Sequence, residues 1–346
     1  HLIAELGYPQ LDDVVFYLYA GGTQVKELKT GDSRPFYPRD VDHPSMLLRL
    51  PMAPEEMKTV YVRVATAGSM IVPLRLWREQ AFFETAAYEL KLHFFYYGSM
   101  LVIILINLAV YLSLREKLYL YYGLAMSGYL LFFASINGFS FQHLYPQWPL
   151  LHAKALQVSI PALALFSLLF CREFLNTRIH SPRLDKVLIA MMVFELLFLF
   201  SAPFIDYYTG IQIASFSALF FFSLLLVAGP VVWLDGVRAG AFFTLAWTPL
   251  TIGVLATAGR SLGVFPENFI TEYAMQIGSG LEAFILTLAL ADRLYRERED
   301  KIIAQAASLQ EAQSRNLAQN LLTQALAHDP VTGLPNRNRF EWMVDQ

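Results

Sequence analysis

The stretch FFYYGSMLVIILINLAVYLSL, residues 94–114, carries no charged side chain. A helix needs about 20 apolar residues to cross the hydrocarbon core of a bilayer, and within lipid the backbone must form its own hydrogen bonds. The stretch therefore predicts a transmembrane helix. Six further apolar windows follow it, at residues 118–137, 155–171, 187–202, 207–234, 239–259 and 273–291. We predict seven membrane-spanning helices over residues 88–292.

The composition agrees with a membrane protein. Of the 346 residues, 55% are hydrophobic and 16% are charged, whereas soluble domains carry about 25% charged residues. The net charge of −3 gives no basic field for binding nucleic acid. The single cysteine, Cys171, excludes a disulfide within the chain, and the seven histidines have no metal-ligand spacing. We therefore predict no metal site and no nucleic-acid partner.

Lysine and arginine in the short loops predict the orientation of the helices, because cytoplasmic loops are enriched in these residues. Basic residues occur in the loops after spans one, three and five and after span seven. The alternate loops, residues 138–152, 203–206 and 264–272, contain neither lysine nor arginine. We predict a periplasmic N-terminus and a cytoplasmic C-terminus in the inner membrane.

Residues 1–85 have the pattern of a β-sandwich. Short runs rich in Val, Tyr, Leu and Ile alternate with turn residues, and Gly21-Gly22 predicts a tight hairpin. The runs are DVVFYLYA, TQVKELKT, MLLRLP, VYVRVAT and MIVPLRLW. Because an apolar run follows His1 directly, we expect this extracytoplasmic, jelly-roll-like domain to have begun further upstream. The fold class is thus a mainly α membrane protein with a partial β-sandwich.

Two carboxyl groups, Glu195 and Glu282, fall near the middle of spans four and seven. A charge at this depth costs at least about 2.5 kcal/mol, so each side chain is expected to face the bundle interior. Either could line a ligand pocket or carry a proton switch, and either could equally be a protonated packing residue. At the outer ends of spans six and seven, Arg260 and Glu272 could form an ion pair or an anion-binding rim, although Arg260 could also extend to the membrane surface.

In the β domain, Arg39, Asp40 and His43 share one loop and are candidate ligand contacts. The simpler interpretation is an ordinary polar loop. Aromatic side chains of the same domain could stack on a ligand, but alternation in strands is more typical of a core.

Residues 293–327 are polar, free of glycine and proline, and predict a helix that continues from span seven. One heptad register aligns five residues at one core position and five at the other. The first set is Tyr295, Ile302, Leu309, Asn316 and Thr323, and the second is Arg298, Gln305, Ala312, Gln319 and Leu326. This seam is weak, but it allows a parallel coiled coil that would join a homodimer. A single solvated helix is the alternative.

The segment DPVTGLPNRNRF, residues 329–340, resembles the N-terminal motif of GGDEF domains, D-x-L-T-G-L-x-N-R. The matching residues are Asp329, Thr332, Gly333, Leu334, Asn336 and Arg337, while Val331 replaces the usual Leu and Asn338 a common Arg. We expect Gly333 to allow a tight turn and Arg337 to pair with Asp329. The resemblance implies that residues 328–346 begin a GGDEF domain. GTP and Mg²⁺ would bind beyond Gln346, so we predict no cofactor or catalytic residue here.

The arrangement of the whole chain resembles the bacterial seven-transmembrane receptors with diverse intracellular signalling modules. Residues 1–85 resemble the C-terminal part of their extracellular sandwich, notably in ELGYPQLDDVVFYL and YVRVATAGSMIVPLRLW. The likeness of that sandwich to carbohydrate-binding modules suggests a carbohydrate-like small-molecule ligand. The predicted domains are then the sandwich at 1–85, the bundle at 88–292, the signalling helix at 293–327 and the GGDEF segment at 328–346.

The function predicted from this resemblance is a transmembrane receptor that senses a periplasmic or intramembrane ligand. It would control a GGDEF domain that makes cyclic di-GMP from GTP, so the full-length protein would be a diguanylate cyclase. A degenerate GGDEF domain or a phosphodiesterase is an alternative output. A transporter or channel would instead require discontinuous helices with symmetric breaks, and Pro161, Pro230 and Pro249 show no such symmetry.

Overall fold

The computed structural model describes residues 1–53, 55–68, 70–261, 263–266, 268–327, 329, 331–334 and 344. The chain forms two compact units, residues 1–287 and 288–346. Within these described residues, six strands come first: β1 Leu2–Leu6, β2 Asp13–Ala20, β3 Thr23–Thr30, β4 Met46–Leu50, β5 Lys58–Ala65 and β6 Leu74–Arg78. Nine α-helices follow in the same described part of the chain: α1 Glu79–Leu114, α2 Lys117–Ile136, α3 Phe139–His143, α4 Pro149–Phe174, α5 Thr177–His180, α6 Pro182–Ser201, α7 Tyr207–Leu234, α8 Arg238–Ser261 and α9 Phe269–Ala327.

The strands form two antiparallel three-stranded sheets, in the orders β4-β1-β6 and β3-β2-β5. Leu6, Phe16 and Leu48 are among the fully buried side chains of the core that the two sheets share. The predicted hairpin is confirmed, because Gly21 and Gly22 both have positive φ angles of 56° and 83° between β2 and β3. The sequence patterns missed β1, whose apolar residues do not alternate because most of them are buried.

The prediction of seven spans is confirmed: among the described residues, seven helices are long and apolar enough to cross a membrane. They are α1, α2, α4, α6, α7, α8 and α9. Pro161, Pro230 and Pro249 lie inside α4, α7 and α8, and these helices continue past them. The short helices α3 and α5 lie in the connections between spans.

Lys154 lies between the predicted outer loop, residues 138–152, and the predicted third span, residues 155–171. Because α4 begins at Pro149, Lys154 lies at its outer end and not inside a loop. The Nζ of Lys154 donates to Oε1 of Gln157 at 3.1 Å and to the carbonyl oxygen of Ile205 in the next outer connection. The outer side therefore carries one basic residue at a helix end, while the outer loops contain none.

Glycines allow the last two spans to approach closely. A Cβ at Gly253 on α8 would lie 2.3 Å from the carbonyl oxygen of Ala274 on α9. A Cβ at Gly278 on α9 would lie 2.6 Å from the carbonyl oxygen of Pro249 on α8. Neither position accommodates a side chain without moving a backbone, so these glycines fix the distance between α8 and α9.

The second unit contains the C-terminal part of α9, which covers the predicted signalling helix. Its side chains between Glu297 and Thr323 are almost all exposed. Ion pairs one helical turn apart lie along it, including Arg315 with Glu311 at 2.7 Å. Such exposed pairs each add about 0.3–0.5 kcal/mol to helix stability.

Candidate ligand-binding site

A cavity of about 540 Å³ lies where the β domain meets the outer ends of the helices. The β domain contributes Glu5, His43 and Arg75, α1 contributes Glu89 and His93, and the start of α9 contributes Glu272 and Tyr273. Asn137, Phe139 and Gln142 complete the wall around α3. The volume is in the range of small-molecule sites, about 300–1,000 Å³.

The length of α1 places this cavity beyond the hydrocarbon core, at the end of the helix that faces the β domain. With 36 residues and a rise of 1.5 Å per residue, α1 is about 54 Å long, whereas the hydrocarbon core is about 30 Å thick. The uncharged stretch begins at Phe94, and the cavity is lined by α1 residues between Phe83 and Phe94. The cavity therefore lies outside the hydrocarbon core, on the side of the β domain.

One side of the cavity is rich in carboxyl groups. Oε2 of Glu5 accepts a 2.7 Å hydrogen bond from the indole Nε1 of Trp77. The guanidinium of Arg75 lies 3.9 Å from the carboxylate of Glu272. Glu89 faces both Glu5 and Glu272. The positive charge of Arg75 is thus close to three glutamates.

The other side is formed by rings. The imidazole of His93 lies 5.1 Å from the ring of Phe139 and 5.4 Å from that of Tyr273, and it stacks on Tyr97 at 6.0 Å. The hydroxyl of Tyr97 accepts a 3.1 Å hydrogen bond from the Asn137 amide. His93 is thus held by rings from α1, α3 and α9.

The loop before β4 supplies His43 to the cavity. Nδ1 of His43 accepts a hydrogen bond from the backbone N–H of Ser45 at 3.1 Å, and its ring packs against Phe82. Burial, reinforced by the nearby charge of Arg39, lowers the pKa of His43 to about 4. His43 is therefore a neutral acceptor at physiological pH.

Arg39 and Asp40, the other residues predicted to bind ligand in this loop, are engaged within the loop. Nη1 of Arg39 donates to the carbonyl oxygens of His43, Pro44 and Ser45 at 2.8–3.4 Å, and its guanidinium lies 3.9 Å over the ring of Phe36. Asp40 pairs with Lys26 at 2.5 Å and accepts from the backbone of Arg49. Both hold the loop that presents His43.

The same loop docks the β domain on the helices. The backbone N–H of Phe36 donates to the carbonyl oxygen of Pro146 at 2.7 Å, and its ring packs edge-on against Phe141 at 5.6 Å. The amide of Gln142 donates to Oδ1 of Asp42 at 2.8 Å. A displacement of this loop would therefore reach α3.

The two carboxyl groups predicted inside the membrane are both buried, as expected, and neither lines the cavity. Glu282 on α9 faces the hydroxyl of Tyr129 on α2, but neither that hydroxyl nor Oε2 of Glu282 has a hydrogen-bond partner. Glu195 on α6 has Ser217 on α7 as its polar neighbour. They lie on different helix pairs and do not form one site.

Glu282 belongs to a set of buried polar contacts that joins α9 to α1 and α2. The hydroxyl of Tyr96 lies 2.9 Å from Oγ of Ser279. The hydroxyl of Tyr122 donates to the carbonyl oxygen of Ala283 at 2.7 Å. Together with Glu282 and Tyr129, these residues form what we call the tyrosine network.

The suggested ion pair between Arg260 and Glu272 is not present among the described residues, because Glu272 pairs with Arg75 of β6. Glu272 therefore connects the start of α9 to the β domain, and Arg260 on α8 does not line the cavity.

Comparison with known proteins agrees with this architecture. Residues 89–293 match the family model for 7TM diverse intracellular signalling, and residues 1–78 match the 7TMR-DISM extracellular 2 model. The chain belongs to the 7TMR-DISM family. No curated protein and no solved structure matches the chain. Because the extracellular model covers the β domain, the predicted N-terminus outside the membrane is supported.

The 7TMR-DISM chain also forms a hydrogen-bonded turn at Asp329, where the sequence resembles the N-terminal motif of GGDEF domains. Oδ1 of Asp329 accepts hydrogen bonds from the backbone N–H groups of Val331 and Thr332 and from the Thr332 hydroxyl, at 2.9–3.0 Å. Gly333 has a φ angle of 67°, as its predicted role in a tight turn requires, and Leu334 closes the turn by accepting from the Asp329 N–H. Asn336 and Arg337 lie outside the described residues.

Sequence reasoning missed most of the lining of the 7TMR-DISM cavity: Glu5, Arg75, Glu89, His93 and Tyr273. One signal was present in the sequence. Glu89 and His93 are four residues apart directly before the first uncharged stretch, which places both on one face of a helix just above the membrane.

Proposed function

We propose that this protein is a sensory receptor whose ligand binds in the outer cavity and acts on α9. The observation that supports this best is the position of Glu272 and Tyr273. Both line the cavity, and both lie in the first turns of the helix that extends to Ala327. A ligand that moves this helix end would act on the element that leaves the membrane.

The tyrosine network gives the receptor a set of contacts that would respond to such a movement. Ser279, Glu282 and Ala283 are spaced three to four residues apart, so they lie on one face of α9. Ser279 and Ala283 form hydrogen bonds with Tyr96 on α1 and Tyr122 on α2, and Glu282 faces α2 between them. Hydrogen bonds weaken steeply with misalignment. A rotation or shift of α9 would therefore break these hydrogen bonds and bring other residues of α9 opposite α1 and α2.

For the output we propose a GGDEF domain that follows Asp329 and makes cyclic di-GMP from GTP and Mg²⁺. The motif resemblance and the closed turn at Asp329 support this assignment. In that family the product forms between two domains, so the receptor would act as a homodimer. Exposed Tyr295, Ile302 and Leu309, spaced seven residues apart on α9, would contribute to the contact between the two helices. In this proposal the C-terminus is cytoplasmic and the membrane is the bacterial inner membrane.

The test uses full-length protein in lipid nanodiscs, with cyclic di-GMP formation from GTP as the measurement. Ala87→Trp would fill the cavity, and Thr23→Trp, at the exposed end of the β2–β3 hairpin, is the matched control. We expect the cavity variant to change the rate several-fold and the control to leave it unchanged. Absence of product from dimeric, membrane-embedded protein would exclude the cyclase output, and equal rates for all three proteins would exclude the cavity as the sensor.

Insertions in α9 test whether this helix carries the signal. Seven added residues after Gln310 change the helical phase by about 20°, whereas two added residues rotate it by about 160°. We expect the seven-residue variant to keep its response to Ala87→Trp and the two-residue variant to lose it. Equal responses from both would contradict transmission through the orientation of α9.

A degenerate GGDEF domain or a phosphodiesterase would leave the receptor proposal intact and change only the output assay. The transporter alternative has less support, because the seven spans are continuous helices within the described residues. Discontinuous helices with backbone groups facing a central site are the feature that such proteins need.

A further inference from the structure

The charges around the cavity are unequal. Among the described residues that line it, four carry carboxyl groups, namely Glu5, Asp42, Glu89 and Glu272, and Arg75 is the one residue with a permanent positive charge. His43 adds no charge at physiological pH, because burial lowers its pKa to about 4. Burial, reinforced by the neighbouring Glu272 and Glu5, raises the pKa of Glu89 to about 7, and even with Glu89 protonated the other three carboxylates outnumber Arg75.

Other side chains of the protein balance only part of this negative charge. Arg75 lies 3.9 Å from Glu272, and Asp42 accepts hydrogen bonds from the Gln142 amide and the Tyr37 hydroxyl. Glu5 accepts from the neutral indole of Trp77. These neutral donors stabilise carboxylates but do not balance them, so a positively charged occupant would remove repulsion among the glutamates.

The wall opposite the glutamates is aromatic and supplies few metal ligands. Phe94, Phe139, Tyr273 and His93 line that side with aromatic rings. Among the residues that the structure describes, no three His, Cys, Asp or Glu side chains are arranged to hold a metal ion. Aromatic rings attract cations through their faces and also bury apolar groups.

We propose that the cavity of about 540 Å³ binds an organic ammonium cation with an apolar or aromatic body. The ammonium group would lie among Glu5, Glu89 and Glu272, and the body would pack against Phe139 and Tyr273. This inference concerns the same cavity as the proposed receptor function and adds the chemical class of its ligand.

The test measures the charge preference of the cavity directly, with thiol reagents in place of the unidentified ligand. Ala87→Cys places a thiol in the cavity wall, and Thr23→Cys places one on the exposed hairpin. The native Cys171 is fully buried, and protein without an added cysteine corrects for its reaction. The probes are trimethylammonium-ethyl and sulfonato-ethyl methanethiosulfonate. Each forms a mixed disulfide with the cysteine thiolate and releases methanesulfinate.

The measured quantity is the rate of the cationic reagent divided by the rate of the anionic reagent. We expect this ratio to be at least about tenfold higher for Ala87→Cys than for Thr23→Cys. Adding Glu89→Gln and Glu272→Gln should reduce the difference to less than about threefold. A ratio for Ala87→Cys within twofold of the hairpin control, or a preference for the anionic reagent, would overturn the proposal.

Nucleotide output measured on the same labelled protein separates this inference from the receptor function. If labelling at Ala87→Cys shows the expected charge preference but leaves cyclic di-GMP formation unchanged, the cavity binds cations and is not the sensor. If labelling changes the output and the ratio matches the control, the cavity is the sensor and its ligand is not a cation.

Discussion

The hydroxyl of Tyr122 on α2 donates a 2.7 Å hydrogen bond to the backbone carbonyl oxygen of Ala283 on α9. Tyr122 is fully buried, and its hydroxyl also lies 3.2 Å from Oγ1 of Thr287, one turn further along α9. A side chain on one span thus recognises the backbone of another. This contact defines the rotational and axial position of α9 more closely than apolar packing alone, because a hydrogen bond depends on direction.

Tyr122→Phe tests how much this hydrogen bond contributes to the free energy of unfolding. The substitution keeps the ring and removes the hydroxyl, and Thr287 still donates to the Ala283 carbonyl. We expect a loss of about 0.5–1.5 kcal/mol in the free energy of unfolding, the usual net value of a buried hydrogen bond. Thermal unfolding in detergent measures the effect, with exposed Tyr208→Phe as the control. Equal unfolding temperatures for the two variants would contradict a stabilising role.

The two intramembrane glutamates should both tolerate substitution by leucine. Both carboxyl oxygens of Glu195 are buried without a hydrogen-bond partner, and the hydroxyl of its neighbour Ser217 already donates to the carbonyl oxygen of Ala214. Glu195→Leu should therefore be neutral or stabilise by about 1 kcal/mol, because it replaces a buried polar group with an apolar one of similar size.

Glu282→Leu should likewise be neutral or stabilise the protein by about 1 kcal/mol, because Oε2 of Glu282 and the hydroxyl of the neighbouring Tyr129 are buried without a hydrogen-bond partner. Thermal unfolding of both variants in the same detergent measures the effect, with exposed Tyr208→Phe as the control. A loss of more than about 1 kcal/mol in either variant would show that its carboxyl group has a hydrogen-bond partner.

Arg39→Lys tests whether Arg39 acts within its loop. A lysine ammonium cannot reproduce the planar guanidinium that reaches three carbonyl groups and stacks on Phe36. We expect a loss of about 1.5–3 kcal/mol in unfolding free energy, as for hydrogen bonds made by a charged group. The control Arg49→Lys, at an exposed position, should cost less than about 0.5 kcal/mol. Full stability of Arg39→Lys would return Arg39 to the set of candidate ligand contacts.

The pH dependence of stability should carry a contribution from Asp32 in the β domain. Burial, together with the neighbouring Asp12 carboxyl, raises the pKa of Asp32 to about 7 from 3.8. The folded state then binds a proton more tightly than the unfolded state. The contribution is complete below pH 3.8 and is lost as the pH rises to about 7, and it amounts to at most about 4 kcal/mol.

Asp32→Asn removes this titration and keeps an amide that can donate to Asp12. We expect the difference in unfolding temperature between the variant and the unaltered protein to grow in favour of the variant from pH 4 to pH 7. His43, whose pKa is lowered to about 4, produces the opposite trend between pH 6.5 and pH 4, and both proteins share it. A constant difference across this range would mean that Asp32 ionises normally.

Much of the fold could be predicted because the relevant forces are local or periodic. An uncharged stretch such as 94–114 has few alternatives to a membrane helix, and Gly21-Gly22 between two alternating strands defines a hairpin. The burial of Glu195 and Glu282 followed from the cost of charge in lipid. Strand β1 escaped prediction because most of its residues are buried and it therefore lacks alternation.

The sequence by itself determined that this is a seven-span membrane protein with a β domain at its N-terminal end, because hydrophobicity and loop charge act residue by residue. Only the tertiary structure decided which side chains meet. Glu5, Glu89 and Glu272 are separated by 84 and 183 positions in the chain, yet they share one cavity wall. Arg75 pairs with Glu272, for which the sequence had offered Arg260 as one possible partner. Such contacts depend on how the helices and sheets pack, and packing is a property of the whole assembled chain that no local pattern encodes.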